Sequence, residues 1–253
     1  MNNQNALVGP VVIGGVGGSG TRIVTEIVKQ IGFFMGNDTN FANDNIALAN
    51  LFFKQEWYKE FTRMEEELFL QKLKEFEQST LHSLELHSPN SIGWGWKKPP
   101  THIYLDYLSH YFPHLKYIHV IRNGLDMAYS HNQNQPHHLG HFFAISVPES
   151  ETLQPKASLD YWIKANQRAI HLGKSLLGKR FYVIRYEKLC ENPNKEITRL
   201  INFLDPTLIK RDINELTALI SKPKTIDRYK QEDLSIFTKK DIQSVRELGF
   251  EID

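Results

Sequence analysis

Val11-Val12-Ile13-Gly14-Gly15-Val16-Gly17-Gly18-Ser19-Gly20-Thr21-Arg22 passes from three β-branched residues through a glycine-dense turn, and Ile23, Ile27 and Ile31 then recur at helical spacing. The pattern predicts a buried strand, a tight turn and an amphipathic helix. Glycines let the backbone turn sharply and aim successive N–H groups at one point, and a helix N-terminus adds about half a positive charge. Such a turn suits a phosphate. Ser19 and Thr21 add hydroxyl donors, and Arg22 adds a charged fork. Two nucleotide patterns overlap here. Gly15-Val16-Gly17-Gly18-Ser19-Gly20 satisfies G-x-G-x-x-G, and Asp38 stands near the distance at which an acidic residue meets a ribose, as in an NAD-binding oxidoreductase. Gly15 and Gly20 also fit the glycines of a Walker A loop, the mark of a P-loop small-molecule kinase, but Thr21 stands where that pattern requires lysine.

Tyr117-Ile118-His119-Val120-Ile121 and Phe181-Tyr182-Val183-Ile184 are two further β-rich runs, with longer helical stretches between the three, such as that from Phe52 to Leu84. Strands alternating with helices imply crossover connections and a largely parallel sheet covered on both faces, with ligands beyond the carboxyl ends of the strands. No repeat and no Gly/Ser- or Pro-rich linker divides residues 1–253, so one domain is expected. Thirty Lys and Arg against 29 Asp and Glu leave a net charge of +1, which argues against an extended nucleic-acid surface. Hydrophobic residues at 41% supply a sizeable core. Cys190 is the only cysteine, so a disulfide scaffold is excluded. The first residues show no basic patch ahead of an apolar core, and no apolar run approaches about 18 residues. A cytoplasmic protein without a membrane span is the expectation.

Arg122-Asn123-Gly124-Leu125-Asp126-Met127-Ala128-Tyr129-Ser130 follows the second strand, and Asp126 and Ser130, four apart, are expected on one helical face. An arginine fork and a hydroxyl there suit a second phosphate. Lys222-Pro223-Lys224-Thr225-Ile226-Asp227-Arg228-Tyr229-Lys230 is a local basic segment in a balanced chain. These motifs together resemble the sulfotransferase family. Gly18-Ser19-Gly20-Thr21-Arg22 is similar to its 5′-phosphosulfate loop, and Arg122 through Ser130 to its 3′-phosphate motif Arg-x-x-x-Asp-x-x-x-Ser. Trp94-Gly95-Trp96-Lys97-Lys98-Pro99, Phe112-Pro113 and Arg185-Tyr186-Glu187-Lys188-Leu189 with Asn192-Pro193 resemble that family in type and order.

The resemblance implies a P-loop-like α/β three-layer sandwich with a central parallel β-sheet. It also implies transfer of a sulfonate from 3′-phosphoadenosine 5′-phosphosulfate (PAPS) to a hydroxyl or amine acceptor. By matching position, Gly18, Ser19, Gly20, Thr21 and Arg22 would hold the 5′-phosphosulfate, Arg122 and Ser130 the 3′-phosphate, and Tyr186 would lie near the adenine. Arg228 resembles the late basic element that closes over the nucleotide, and Lys97 the lysine two residues before a proline in bacterial and carbohydrate-directed members. Gly18 stands where the aryl enzymes carry lysine, so Arg22 or Lys97 must supply the cation for the leaving group, with Lys98 in reserve.

In-line sulfonate transfer depends on positioning and charge stabilisation, and no carboxylate cluster for magnesium is evident, so no metal is expected. Asp38 is the first candidate for the base that takes the acceptor proton and Asp44 the second; a turn or cap role competes for either. His131, His137, His138 and His141 lack the spacing of a metal site and read as a substrate-side loop in solvent. Trp94 and Trp96 suit either core packing on a short strand, since tryptophan is usually largely buried, or an aromatic platform for a sugar or ring acceptor. Glu56 to Glu77 reads as an amphipathic helical cover over the acceptor cleft. A saccharide or glycolipid is the favoured acceptor from the branch resemblance.

Overall fold

The computed structural model describes residues 7–53, 66–210 and 212–252. Five strands, β1 (Val8–Gly15), β2 (Phe33–Phe34), β3 (Gly93–Lys97), β4 (Lys116–Ile121) and β5 (Phe181–Arg185), form one parallel sheet in the order β2-β3-β1-β4-β5. The helices in chain order are α1 (Thr21–Ile31), α2 (Ile46–Phe52), α3 (Glu66–His87), α4 (Leu105–Tyr111), α5 (Gly124–Ala128) and α6 (Asn134–Leu139). They continue with α7 (Gln154–Leu172), α8 (Tyr186–Glu191), α9 (Pro193–Leu204), α10 (Ile213–Thr217) and α11 (Lys239–Glu247).

Alternation along the strands sends successive side chains to opposite faces, and each face has its own apolar cluster. Val11, Ile13, Ile118 and Val120 pack with Val24, Ile27, Val28 and Ile31 of α1 and with Ile197, Leu200 and Ile201 of α9. Val12, Trp96, Tyr117 and Ile121 pack on the other face with α3, α4 and α7. Each fully buried Ile, Leu or Phe contributes about 1.5–3 kcal/mol relative to exposure. The result is the α/β three-layer sandwich expected from the alternating pattern.

Three of the strands are the apolar runs predicted from sequence, β3 is the short strand on which Trp94 and Trp96 would pack in the core, and β2 is additional. Gly93 and Gly95 dilute the strand signal of β3, and Gly95 is required because a Cβ there would enter the carbonyl of Val11 on the neighbouring strand. Trp94 and Trp96 are buried against Phe112, and Trp96 also against Phe76, so both serve the core and form no platform. Of the long charged stretch, residues 56–65 lie outside the described residues. The remainder belongs to α3, which buries Leu73 and Phe76 and leaves Leu68 exposed.

The strand order also removes the dinucleotide reading. In that fold the strand bearing the ribose-binding acid lies beside the strand leading into the glycine turn. Here β3 separates β1 from β2, which puts the end of β2 two strand spacings, about 10 Å, from the turn. Asp38 lies four residues beyond β2 and is exposed.

His102 and His119 are fully buried beneath the sheet, with the His119 ring hydrogen-bonded to Asn166 of α7 at 2.8 Å. Burial pushes their pKa values down to about 3 and about 4. Both titrate below their unfolded value of about 6.5, so between that pH and about 4 the unfolded chain holds protons that the native one refuses. Stability is therefore expected to fall on acidification below about pH 6.5, by up to about 1.4 kcal/mol per pH unit for each histidine. Urea denaturation across pH 4–8 should show the slope reduced in His119→Gln; an unchanged slope would refute the assignment.

Candidate active site

The glycine turn joins β1 to α1. Ser19 donates its backbone N–H to the carbonyl of Val16 at 3.1 Å, and its hydroxyl is buried with no hydrogen-bond partner. An orphaned buried hydroxyl within a candidate anion loop is a group that a ligand oxygen would satisfy. Gly20 begins the helix at φ +95°, a left-handed conformation that disfavours any side chain, and a Cβ there would also enter the ring of Tyr186. Thr21, the first residue of α1, is buried, while Arg22 is exposed.

The ends of β4 and β5 bring the second constellation to the same edge. Arg122 lies 5.5 Å from the centroid of the Tyr186 ring and donates to the carbonyl and hydroxyl oxygens of Thr225 at 2.5 and 2.9 Å. Its Nε is buried and unpaired. Asn123 caps α5 through its side chain, and its backbone N–H is held by Glu187 at 2.8 Å. Burial raises the pKa of Glu187 and pushes that of Tyr186 up to about 12.

Asp126, almost wholly buried, accepts hydrogen bonds from the backbone N–H groups of Asp227 at 3.0 Å and Tyr229 at 3.2 Å. It thereby pins the late basic segment over Arg122, which stands 3.9 Å away. Arg228 donates to the carbonyls of Tyr129 and Thr225. One helical face for Asp126 and Ser130 is not found: α5 ends at Ala128, and Ser130 lies beyond the turn at Tyr129. The cause is a substitute partner for the terminal carbonyls. The Gln133 amide donates to Met127, Ala128 and Ser130, which closes the helix end that a longer helix would otherwise satisfy.

On the other side of the turn lies a cavity of about 600 Å³. Gly17, Gly18, Gly20, Thr21 and Arg22 line it from the loop, and Lys97, Lys98 and Asp44 from the end of β3 and the loop before α2. Asp44 bridges both lysines, pairing with Lys97 through one carboxylate oxygen and with Lys98 through the other at 3.1 Å. Lys97 also donates to the carbonyl of Ala42 at 2.8 Å. Burial draws the Lys97 pKa below the usual lysine value, against the pull of Asp44, and the nearby charges of Lys98 and Arg22 lower it further. The loop is held from behind by Asn43, which accepts from Lys29 at 2.8 Å and donates to Glu26 at 2.6 Å. Asp38 is absent from the described lining of the cavity, and its backbone carbonyl accepts from Ile46. His138 lines the cavity and is exposed, as are His131, His137 and His141.

A family profile described as "Sulfotransferase family" matches residues 10–209. The chain belongs to the sulfotransferase family. No curated protein sequence gives a significant match to this sulfotransferase. Among solved structures, the sulfotransferase domain of the olefin synthase from Synechococcus PCC 7002 superposes with a TM-score of 0.57 at 15% identity, covering 100% of this chain and 99% of that one. The sulfotransferase domain from the curacin biosynthetic pathway gives 0.59 at 15% identity, covering 98% and 99%. Sulfotransferase STF9 from Mycobacterium avium gives 0.61 at 11% identity, covering 98% and 78%. At such identities the likeness is one of fold.

Several residues of this sulfotransferase's site escaped sequence reasoning. Phe53, Gln135 and Leu139 belong to no motif, and Thr225, inside the basic segment, drew no role of its own; only their convergence on the turn and cavity marks them. The Asn/Gln-rich run around Gln133 was the one available signal, since amides beside a glycine turn are ready donors.

Asp126→Asn keeps the size but cannot accept two N–H groups in the same way, so the segment from Thr225 to Tyr229 is expected to loosen. Trypsin cleavage after Lys224 and Arg228 should rise about tenfold or more if the segment's local opening costs about 1.4 kcal/mol less. Equal cleavage in variant and parent would show that Asp126 does not hold the segment.

Proposed function

We propose that the protein is a PAPS-dependent sulfotransferase, carried by one domain and acting on a hydroxyl or amine of a small molecule. The observation that supports this best is the division of the site by the glycine turn. Buried Ser19 and Arg122 gather on one side with half-buried Tyr186 and Arg228, while Lys97, Lys98 and Asp44 line the cavity that the loop shares on the other. The orphaned Ser19 hydroxyl and Arg122 Nε fit a ligand carrying two anionic groups. PAPS, when bound, supplies the activated sulfonate.

The residue roles follow from this division. Ser19, Gly20, Thr21 and Arg22 hold the 5′-phosphosulfate with backbone N–H groups, hydroxyls and a guanidinium. Arg122 and Ser130 hold the 3′-phosphate, Tyr186 packs by the adenine, and Arg228 closes over it. Lys97, with Arg22, supplies positive charge to the oxygen that departs. Asp44 is the better base than Asp38, because it lines the chamber and Asp38 does not; one carboxylate oxygen of Asp44 takes the acceptor proton.

Adenosine 3′,5′-bisphosphate at 100 times its Kd is expected to stabilise the protein by about 2.7 kcal/mol, raising Tm by roughly 5–10 °C. Arg122→Ala should abolish the shift, and NAD or ATP with magnesium should give none. Lys97→Ala should lower kcat by about 10²–10³-fold and Asp44→Asn by about 10²–10⁴-fold, both with the bisphosphate shift retained. No shift with the bisphosphate would overturn the donor assignment. A low rate in Asp38→Asn with a parental rate in Asp44→Asn would reverse the choice of base.

A further inference from the structure

We propose that Asn43 is a positioning residue for the transfer: its side chain grips α1 and thereby holds Asp44 and the Ala42 carbonyl on Lys97; this rests on the roles given to Lys97 and Asp44 above. The Lys97 ammonium donates to the Ala42 carbonyl at 2.8 Å and pairs with the Asp44 carboxylate. Asn43 stands between these two partners in the chain. Its φ of +62° is left-handed, a conformation that asparagine tolerates better than most side chains. The chain bends there, so that both neighbours face Lys97 while the Asn43 side chain faces α1.

Asn43 is buried with both ends of its amide engaged, the oxygen accepting from Lys29 at 2.8 Å and the nitrogen donating to Glu26 at 2.6 Å. A neutral amide between a cation and a carboxylate gives each a charge-assisted hydrogen bond. An aspartate of the same size would still accept from Lys29 but would set like charge against Glu26, and leucine would offer neither bond. The other described hydrogen bonds of this loop run elsewhere. Asn40 accepts from the backbone N–H groups of Ala42 and Asp44 at 2.9 Å each, and the Asn45 N–H goes to the Lys97 carbonyl at 2.8 Å. These fix the loop internally and to β3, whereas the Asn43 amide ties it to α1. Glu26 and Lys29 lie about 8 and 12 Å along the helix axis from Thr21, where α1 leaves the glycine turn. One rigid helix thus carries the donor loop at its start and grips the acceptor-side loop further along. Transfer depends on that spacing, since a misplacement of about 1 Å can cost on the order of 10²-fold in rate.

The test reads the acetylation rate of Lys97 by acetic anhydride, located by peptide mass spectrometry. Lys116 is the internal reference, because the carbonyls of Phe203 and Leu204 hold it at the start of β4, away from the site. Asn43→Gly keeps the left-handed backbone and loses both side-chain bonds, and Asn43→Asp opposes Glu26. Both are expected to raise the ratio of Lys97 to Lys116 labelling about tenfold, towards that of Asp44→Ala, with the bisphosphate thermal shift retained. The double variant Glu26→Gln/Asn43→Asp, in which amide and carboxylate trade sides, should return the ratio to the parental value. In kinetics, read with whichever of 2-naphthol and glucose the parent sulfonates, kcat should fall by about 10–10²-fold in the single variants with KM for PAPS within about twofold, and recover in the double. With neither acceptor used, the labelling decides alone. A parental ratio in both single variants, an equal rise at Lys116, no recovery in the double variant, or a parental kcat in the single variants would each overturn the proposal. A parental kcat in Asp44→Asn is a different result: it would overturn the choice of base whatever the Asn43 variants show, and the proposal with it.

Discussion

The Tyr186 ring lies where any side chain at position 20 would be, and this close approach ties the two halves of the site together. Gly20 ends the β1–α1 turn and Tyr186 begins α8 after β5, two strands away across the sheet. With no Cβ between them, the ring packs directly on the turn and leaves its other surroundings to Arg122. The orientation of Arg122 in turn leads to Thr225, and through Asp126 the basic segment is drawn to the same edge. One steric allowance at a single glycine thus lets three distant stretches of chain meet.

Burial and charge are balanced differently on the two sides of the turn. On the side of Arg122, that residue, Asp126 and Glu187 are partly or wholly removed from water, and desolvation raises the pKa of both acids. Each acid is also held by backbone N–H groups, which offset part of that cost. On the chamber side the lysines are compensated by Asp44 alone among the described lining residues, so an excess of positive charge faces the loop. Positive charge in a partly enclosed site is worth more than in water, and this is where an anionic leaving group would be stabilised.

The sheet order explains why similar glycine patterns can serve different ligands. A turn rich in glycine between a strand and a helix can bind a phosphate in several different folds, because the physics lies in the backbone N–H groups and the helix terminus. What surrounds the phosphate depends on which strands flank the first. Inserting β3 between β1 and β2 replaces the ribose-binding acid of a dinucleotide fold with Lys97, Lys98 and the chamber they line.

Sequence alone determined the strand–turn–helix unit and the parallel α/β architecture, and it singled out the glycine loop and Arg122 as candidates at strand ends, while Tyr186 and Lys97 were marked by the family resemblance. These are set by local periodicity and by short spacings along the chain, which a linear pattern records. It missed β2 and placed β3 only as a short strand under Trp94 and Trp96, because its glycines lower strand propensity although the neighbouring backbone requires one of them, and it overextended α5 because the Gln133 amide that caps the helix lies beyond the helical period. Only the tertiary structure placed Asp44 rather than Asp38 at the chamber and brought Thr225 to Arg122. Those outcomes depend on contacts between residues tens of positions apart, fixed by strand order and packing, and no spacing along the chain encodes them.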